Sequence, residues 1–274
     1  MTYLTRDNHL MGCPGSVDVA RSKIMIINSS RIAYAGLLGA PSIRQLGAIA
    51  VYASLGSSFR IELNGRAATS AQLAVVQPYT PHRISTNDRR IGVLLIEPES
   101  VDVGYLPGIL QESASYQDGG AGYQRIRDSF SSLLRGTFGR DMRGIDIDRL
   151  FFECSFQSKQ LESRIASVVD RIVKGPNEQF SAKDAAEAAR LSVSRFLHLF
   201  TFEVGTAFRC FRAWKRARSF MDCVKAQNLT DVALDLGYPD SSHFSHSIRH
   251  VYGLRPRDIF VGSRALALVS QAER

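Results

Sequence analysis

The chain has 274 residues, 34 Lys+Arg against 26 Asp+Glu, a formal net charge of +8 and 45% hydrophobic residues. That length and composition suit one or two domains with real cores, and exclude a collagen, a disulfide miniprotein and a disordered tail. The excess base points to an acidic partner such as nucleic acid. The first twenty residues, MTYLTRDNHLMGCPGSVDVA, lack the apolar run of a secretory signal. The most apolar later stretch, residues 46–55, is far shorter than the ~20 residues of a membrane helix. A soluble, cytoplasmic protein without membrane contact is expected. Cys13, Cys154, Cys210 and Cys223 form no CxxC pair, so free thiols are expected rather than a zinc ribbon or a redox site.

Residues 21–97 read as short strands. KIMII, RIAYAG, GAIAVYASL, FRIEL, QLAVVQP and RIGVLLIE are rich in β-branched and aromatic residues, and turn-forming clusters separate them. The spacing predicts a small antiparallel barrel or sandwich. Asn64-Gly65 tolerates the positive φ of a tight hairpin turn. Beyond Pro98 a Gly/Ser-rich loop over 104–122 leads into a helix over 123–134. A second helix is predicted over 147–174, from Leu150, Phe151, Cys154, Leu161, Ile165, Val168, Val169 and Ile172. Gly175-Pro176 should stop it, which puts a domain boundary near 175–180.

The C-terminal part contains an internal repeat. SRFLHLFTFEVG (194–205) aligns with SHFSHSIRHVYG (242–253), 48 positions later. At 100° per residue, Phe196, Leu199 and Phe200 share one face of the first helix, as do Phe244, Ile248 and Val251 in the second. The opposite faces carry Ser194, His198 and Thr201, then Ser242, His246 and Arg249. Both outer faces can hydrogen-bond and neither carries an acid. A short helix precedes each copy, over 182–189 and 229–236, with Ala185 and Ala233 at the same repeat position. Helix, tight turn and second helix with a polar outer face is the helix-turn-helix plan, whose second helix enters the DNA major groove. Residues 208–225 read as one connecting helix with Arg209, Arg212, Lys215, Arg216 and Arg218. Eighteen residues would span about 27 Å, against the ~34 Å between successive major grooves. Residues 190–264 hold 12 Lys+Arg and 6 Asp+Glu, so most of the excess base lies here.

LSVSRFLHLFTFEVG, the WKRAR helix, LTDVALDLGYPDSSHFSHSIRHVYGLRP and Pro256 resemble the DNA-binding domain of the AraC/XylS transcription regulators, over roughly 178–262. Ile248 stands where that family usually has Phe. The resemblance implies base-reading positions at Ser194, Leu197 and His198, then at Ser241, Ser242 and His246, with Arg195 and Arg249 beside them and Arg216 as the linker arginine. It also implies a β-barrel sensor, helices that dimerise, double-stranded DNA and RNA polymerase as partners, and control by a small molecule. Leu197 can at best pack on a thymine methyl, so phosphate contacts and DNA shape share the specificity.

VVQPYTPHRI resembles the P-x-x-x-H segment of cupin-like barrels, with His82 at the motif position. The N-terminal half has only His9 and His82, too few for a metal-dependent oxygenase, and His243, His246 and His250 belong to the reading helix. No cofactor, metal or catalytic residue is expected. Arg60, Arg66, Arg83, Arg89 and Arg90 surround the predicted strand ends near His82. They read either as solvated loop charges or, with His82, as a pocket for an anionic effector such as a carboxylate or nucleotide. Asn28-Ser29-Ser30 is similar to the Asn-x-Ser motif of PilZ-type cyclic di-GMP receptors, but no RxxxR accompanies it.

The expectation is an α+β protein. Residues 1–175 form a cupin-like β-barrel with dimerisation helices over 147–174. Residues 178–274 form an all-α domain with two helix-turn-helix units. The function read from this is a sequence-specific, effector-controlled transcription regulator, more readily an activator, acting as a homodimer. The alternative is a ligand-independent DNA binder whose N-terminal half only dimerises. An enzyme with a DNA-binding appendage has no nucleophile–base pair or metal set to support it.

Overall fold

The computed structural model describes residues 23–271 apart from 37–41, 89, 138–141, 227 and 265. His9, Cys13 and Arg89 lie outside the described residues. Two sheets form the N-terminal part. The larger orders its strands β10-β7-β4-β9-β2-β1-β11, from β1 (Ile24–Ile27), β2 (Arg31–Ala35), β4 (Ile49–Ser54), β7 (Leu73–Val76), β9 (Ile91–Ile96), β10 (Ala114–Tyr116) and β11 (Ala267–Ser270). The smaller is β3-β8-β5-β6, from β3 (Ile43–Arg44), β5 (Phe59–Leu63), β6 (Thr69–Ala71) and β8 (His82–Ser85). Asn64 and Gly65 both have positive φ, 51° and 71°, in the turn after β5.

Every residue of β4, β7 and β9 is buried, because the larger sheet is covered on both faces. That is why these strands read as continuous apolar runs rather than alternating ones. One face, with Met25, Tyr52, Val93 and Leu95, gathers with Phe59, Ile61 and Ile84 of the smaller sheet and with Trp214. The other, with Ile26, Val51 and Leu94, packs on α1 (Gly120–Arg135) through Ile126 and Phe130, and on α2 (Ile147–Phe152) through Phe151. Among the described residues the two sheets are not hydrogen-bonded into a closed barrel, so the expected cupin-like barrel is an open pair of sheets.

The helix expected over 147–174 is two helices. α2 ends at Glu153, whose φ is 61°, and α3 (Ser163–Lys174) begins ten residues later. Cys154 is exposed, so the apolar period breaks where no core lies beneath it. Neither piece presents a free apolar stripe for dimerisation. Ile147 and Phe151 pack under the larger sheet. Ile165, Val168, Val169 and Ile172 pack with Phe180, Phe196 and Phe208 of the helical part.

The helical part continues with α4 (Ala182–Ala188), α5 (Val193–Val204), α6 (Phe208–Ser219), α7 (Leu229–Asp235), α8 (Ser241–Tyr252) and α9 (Pro256–Gly262). The rod expected over 208–225 is shorter: α6 has 12 residues, about 18 Å, followed by a 3-10 turn over Phe220–Cys223. Phe220 and Met221 are buried there, so chain direction is set by packing into the second unit. The boundary expected near 175–180 does not separate the two parts cleanly. α3 joins the helical core, and β11 returns from the C-terminal end to pair in parallel with β1. Among the described residues, no helix is long and apolar enough to cross a membrane.

Candidate nucleic-acid interface and its docking on the sheets

Each helix-turn-helix unit is built by local capping and an aromatic core. Ser181 and Asp184 form a capping box at α4, and Ser192 caps α5 by accepting from the Arg195 amide. Asn228 caps α7, and Asp240 accepts the Ser242 and His243 amides at α8, both at 2.8 Å. α5 and α8 both end on left-handed glycines, Gly205 and Gly253. Ala185 and Ala233 are buried where the paired helices approach. In the first unit the Phe196 and Phe208 rings meet at 5.3 Å, and in the second Phe244 meets Phe220 and Tyr238, each at 5.3 Å. The inward faces read from the helical wheel are therefore the packed ones.

The outward faces carry the expected readers. Ser194, Arg195 and His198 on α5 are exposed, as are Ser241, Ser242, His246 and Arg249 on α8. Leu197 is 37% exposed, an apolar contact surface rather than a core residue. Phe202, on the same helix, is 79% exposed and stands out in no sequence pattern. The Asp240 carboxylate is held below its ordinary range, mainly by the amides it caps.

The basic set on α6 divides in two. Arg209, Arg212 and Arg216 line a shallow groove with Ala182, Phe208 and Ala213. Arg212 donates to the Glu178 carbonyl at 2.6 Å, and Arg216 lies over the Tyr238 ring at 5.6 Å. Lys215 and Arg218 face the other way and are buried against the sheets. Lys215 Nζ donates to Glu97 Oε2 at 2.6 Å and pairs with Glu99, while Arg218 Nε sits 2.7 Å from Glu97 Oε1. The Trp214 indole donates to Glu97 Oε2 at 2.8 Å, and a Cβ on Gly47 would collide with its ring. Burial opposes charge on both acids. The two cations beside Glu97 outweigh it and hold that carboxyl below its usual range, while Glu99 is pushed up by burial. Sequence alone groups Lys215 and Arg218 with the DNA-facing base. The acids that claim them lie more than a hundred positions away, at the end of β9, and no local pattern links the two.

The second unit also touches the sheets through β3. The Gln45 amide donates to the Val251 carbonyl at 3.0 Å, and the Ser42 hydroxyl donates to the Gly253 carbonyl.

The described arginines expected to form an effector pocket face solvent rather than the space between the sheets. Arg60 and Arg83 are exposed on the smaller sheet, Arg83 paired with Glu62 at 3.6 Å, and Arg66 and Arg90 are exposed. Strand alternation points Arg60 and Arg83 outward, and Arg66 and Arg90 lie in connections outside the strands. Asn28-Ser29-Ser30 is a turn: Asn28 Oδ1 accepts from the Ser30 and Arg31 amides at 3.0 and 2.8 Å. His82 does face inward and is 2% exposed. Its Nε2 accepts from the Tyr52 hydroxyl at 2.7 Å and its Nδ1 donates to the Thr80 carbonyl at 2.8 Å. That places the proton on Nδ1, and burial lowers the His82 pKa to about 4. A cation on the His82 face of the smaller sheet is Arg44, 3% exposed, which no sequence signal singles out.

The helix-turn-helix domain family model matches residues 185–260. The transcriptional activator RhrA of Rhizobium meliloti (strain 1021) is 29% identical over 102 residues, covering 35% of this chain and 32% of RhrA. The match thus spans about a third of that relative's length. The crystal structure of ToxT from Vibrio cholerae O395 is similar with a TM-score of 0.54 and 11% identity, over 88% of this chain and 95% of that one. The same protein bound to (E)-4-(8-methylnaphthalen-1-yl)but-3-enoic acid gives a TM-score of 0.53 and 9% identity, over 88% and 98%. At these identities the likeness is one of fold, and it extends across both the sheets and the helices.

Proposed function

We propose, from the premise that this chain is a DNA-binding transcription regulator of the AraC/XylS family, that α5 and α8 read two successive major grooves and that the sheet domain controls them in response to a small molecule. The observation that carries this is the pair of capped helices with packed aromatic inner faces and exposed acid-free outer faces. Ser194, Leu197, His198, Ser242 and His246 are the base-facing side chains. Ser241, Arg195 and Arg249 flank them, and Arg209, Arg212 and Arg216 meet phosphate. Lys215 and Arg218 serve the docking on the sheets instead. The name of RhrA supports activation, with RNA polymerase as the further partner, and a DNA target is in keeping with a cytoplasmic protein. The carboxylic acid named for ToxT supports an anionic effector over a neutral one. Functionally the chain divides into a sensor, residues 1–175, and a DNA-binding region, residues 178–274, with α3 and β11 crossing between them. A homodimer would use a surface other than the apolar faces of α2 and α3.

Selected DNA fragments and fluorescence anisotropy test the reading. His246→Ala should weaken the selected site by ~1–3 kcal/mol and relax its sequence preference, while Arg216→Ala weakens all DNA alike and flattens the salt slope. An equal loss for His246→Ala on random DNA removes it from the readers.

A further inference from the structure

Arg44 and His82 are direct cross-strand partners in the β3–β8 pair, so their side chains share one face of the smaller sheet. Across the larger sheet Tyr34 pairs with Val93, and Val93 with Tyr52, so those three also share a face. The Tyr52–His82 hydrogen bond joins the two rows. Arg44 thus lies beside Tyr34, Tyr52 and His82 between the sheets, and the same strand faces continue with the buried apolar Ile84 and Leu95.

Two guanidinium nitrogens of Arg44, Nε and Nη2, are buried without a hydrogen-bond partner. Buried polar groups are almost always paired, and a buried charge without a counter-charge is among the costliest arrangements in a fold. Among the described residues, the groups named beside Arg44 supply no negative charge. Tyr34 and Tyr52 are raised by burial and stay protonated, and His82 is neutral. Nε and one Nη are the adjacent donors of the guanidinium fork, which matches the two oxygens of a carboxylate. One cation calls for one negative charge, and the apolar surroundings favour a hydrocarbon body over a phosphorylated one.

We propose that Arg44 anchors a small monocarboxylate between the two sheets, and that β3 transmits its binding to the C-terminal end of α8. This rests on reading the sheet domain as the sensor. It replaces the exposed arginines with an inward one, and the polar end of the proposed site is Arg44, Tyr52 and His82. The route is short. Arg44 points inward from β3, while its neighbours Ser42 and Gln45 bond the last turn and C-cap of α8. A Cβ on Gly253 would lie 2.9 Å from the Ile43 carbonyl, so strand and helix end are in close contact.

The test uses the full chain with hexanoate and benzoate, and their uncharged amides as controls. Both carboxylates should raise the melting temperature saturably and the amides should not. Calorimetric affinity should fall on the order of 10- to 100-fold in Arg44→Met, the loss of charge-assisted hydrogen bonds. Arg44→Lys keeps the charge and loses the fork. It should bind more weakly than wild type, and it carries the test if the Met variant does not fold. Failure of both carboxylates to stabilise the wild type, or equal affinity in wild type and Arg44 variants, overturns the site. Carboxylate binding that leaves DNA affinity unchanged overturns the β3 route. Absence of DNA binding by the unliganded and liganded wild type would instead sink the regulator reading while leaving the carboxylate result intact.

Discussion

Lys215→Met is the sharpest probe of how the helices are held on the sheets. Lys215 is 3% exposed and lies between Glu97 and Glu99, which are themselves buried. Its removal leaves two buried carboxylates and one remaining cation, Arg218, which is paired with Glu97 and not with Glu99. Removing one partner of a buried ion pair costs about 3–5 kcal/mol, because the other charge stays desolvated and unpaired. For a chain of this size, 2–4 °C per kcal/mol converts that to a fall of roughly 6–20 °C in melting temperature. Thermal and urea unfolding of the full chain near neutral pH would measure it. Glu99 is the acid that burial already pushes towards its neutral form. Adding Glu99→Gln to Lys215→Met should therefore recover about half the loss. A single-mutant loss under about 1 kcal/mol would refute the argument, since it would mean water reaches the cluster and screens it.

Two further outcomes follow from the packing. His82 has its pKa lowered from 6.5 to about 4, so the unfolded chain takes up a proton that the folded chain refuses. Its stabilising effect is present above about pH 6.5 and is lost as pH falls towards 4, amounting to about 2 kcal/mol between pH 7 and pH 5. Urea titrations at both pH values should show this loss in wild type and not in His82→Gln; an equal slope in both would contradict a neutral, buried imidazole. Phe244→Ala removes a ring packed against Phe220 and Tyr238, and should cost ~3–5 kcal/mol and abolish binding by the second unit. A stable variant with unchanged circular dichroism would mean the ring is not a core residue.

The sequence determined the features whose causes are local. The repeat, the helix-turn-helix caps, the left-handed Gly205 and Gly253, and the inward and outward faces of α5 and α8 follow from periodicity and capping within a dozen residues. The main strands were legible too, because two-sided burial leaves apolar runs. Short edge strands such as β3 and β11 were not, since two to four residues carry too little pattern. The direction of each basic side chain also lay beyond local reading. Lys215 and Arg218 differ from Arg209 and Arg212 only in which acids tertiary folding brings beside them, at Glu97 and Glu99. Nothing in the local sequence sets Arg44 apart, and its register opposite His82 turns it inward. The net charge of +8 points to an acidic partner. Tertiary structure decided which positive charges remain available for one, because burial next to a carboxylate satisfies a cation inside the fold and leaves only the exposed ones for the proposed DNA partner.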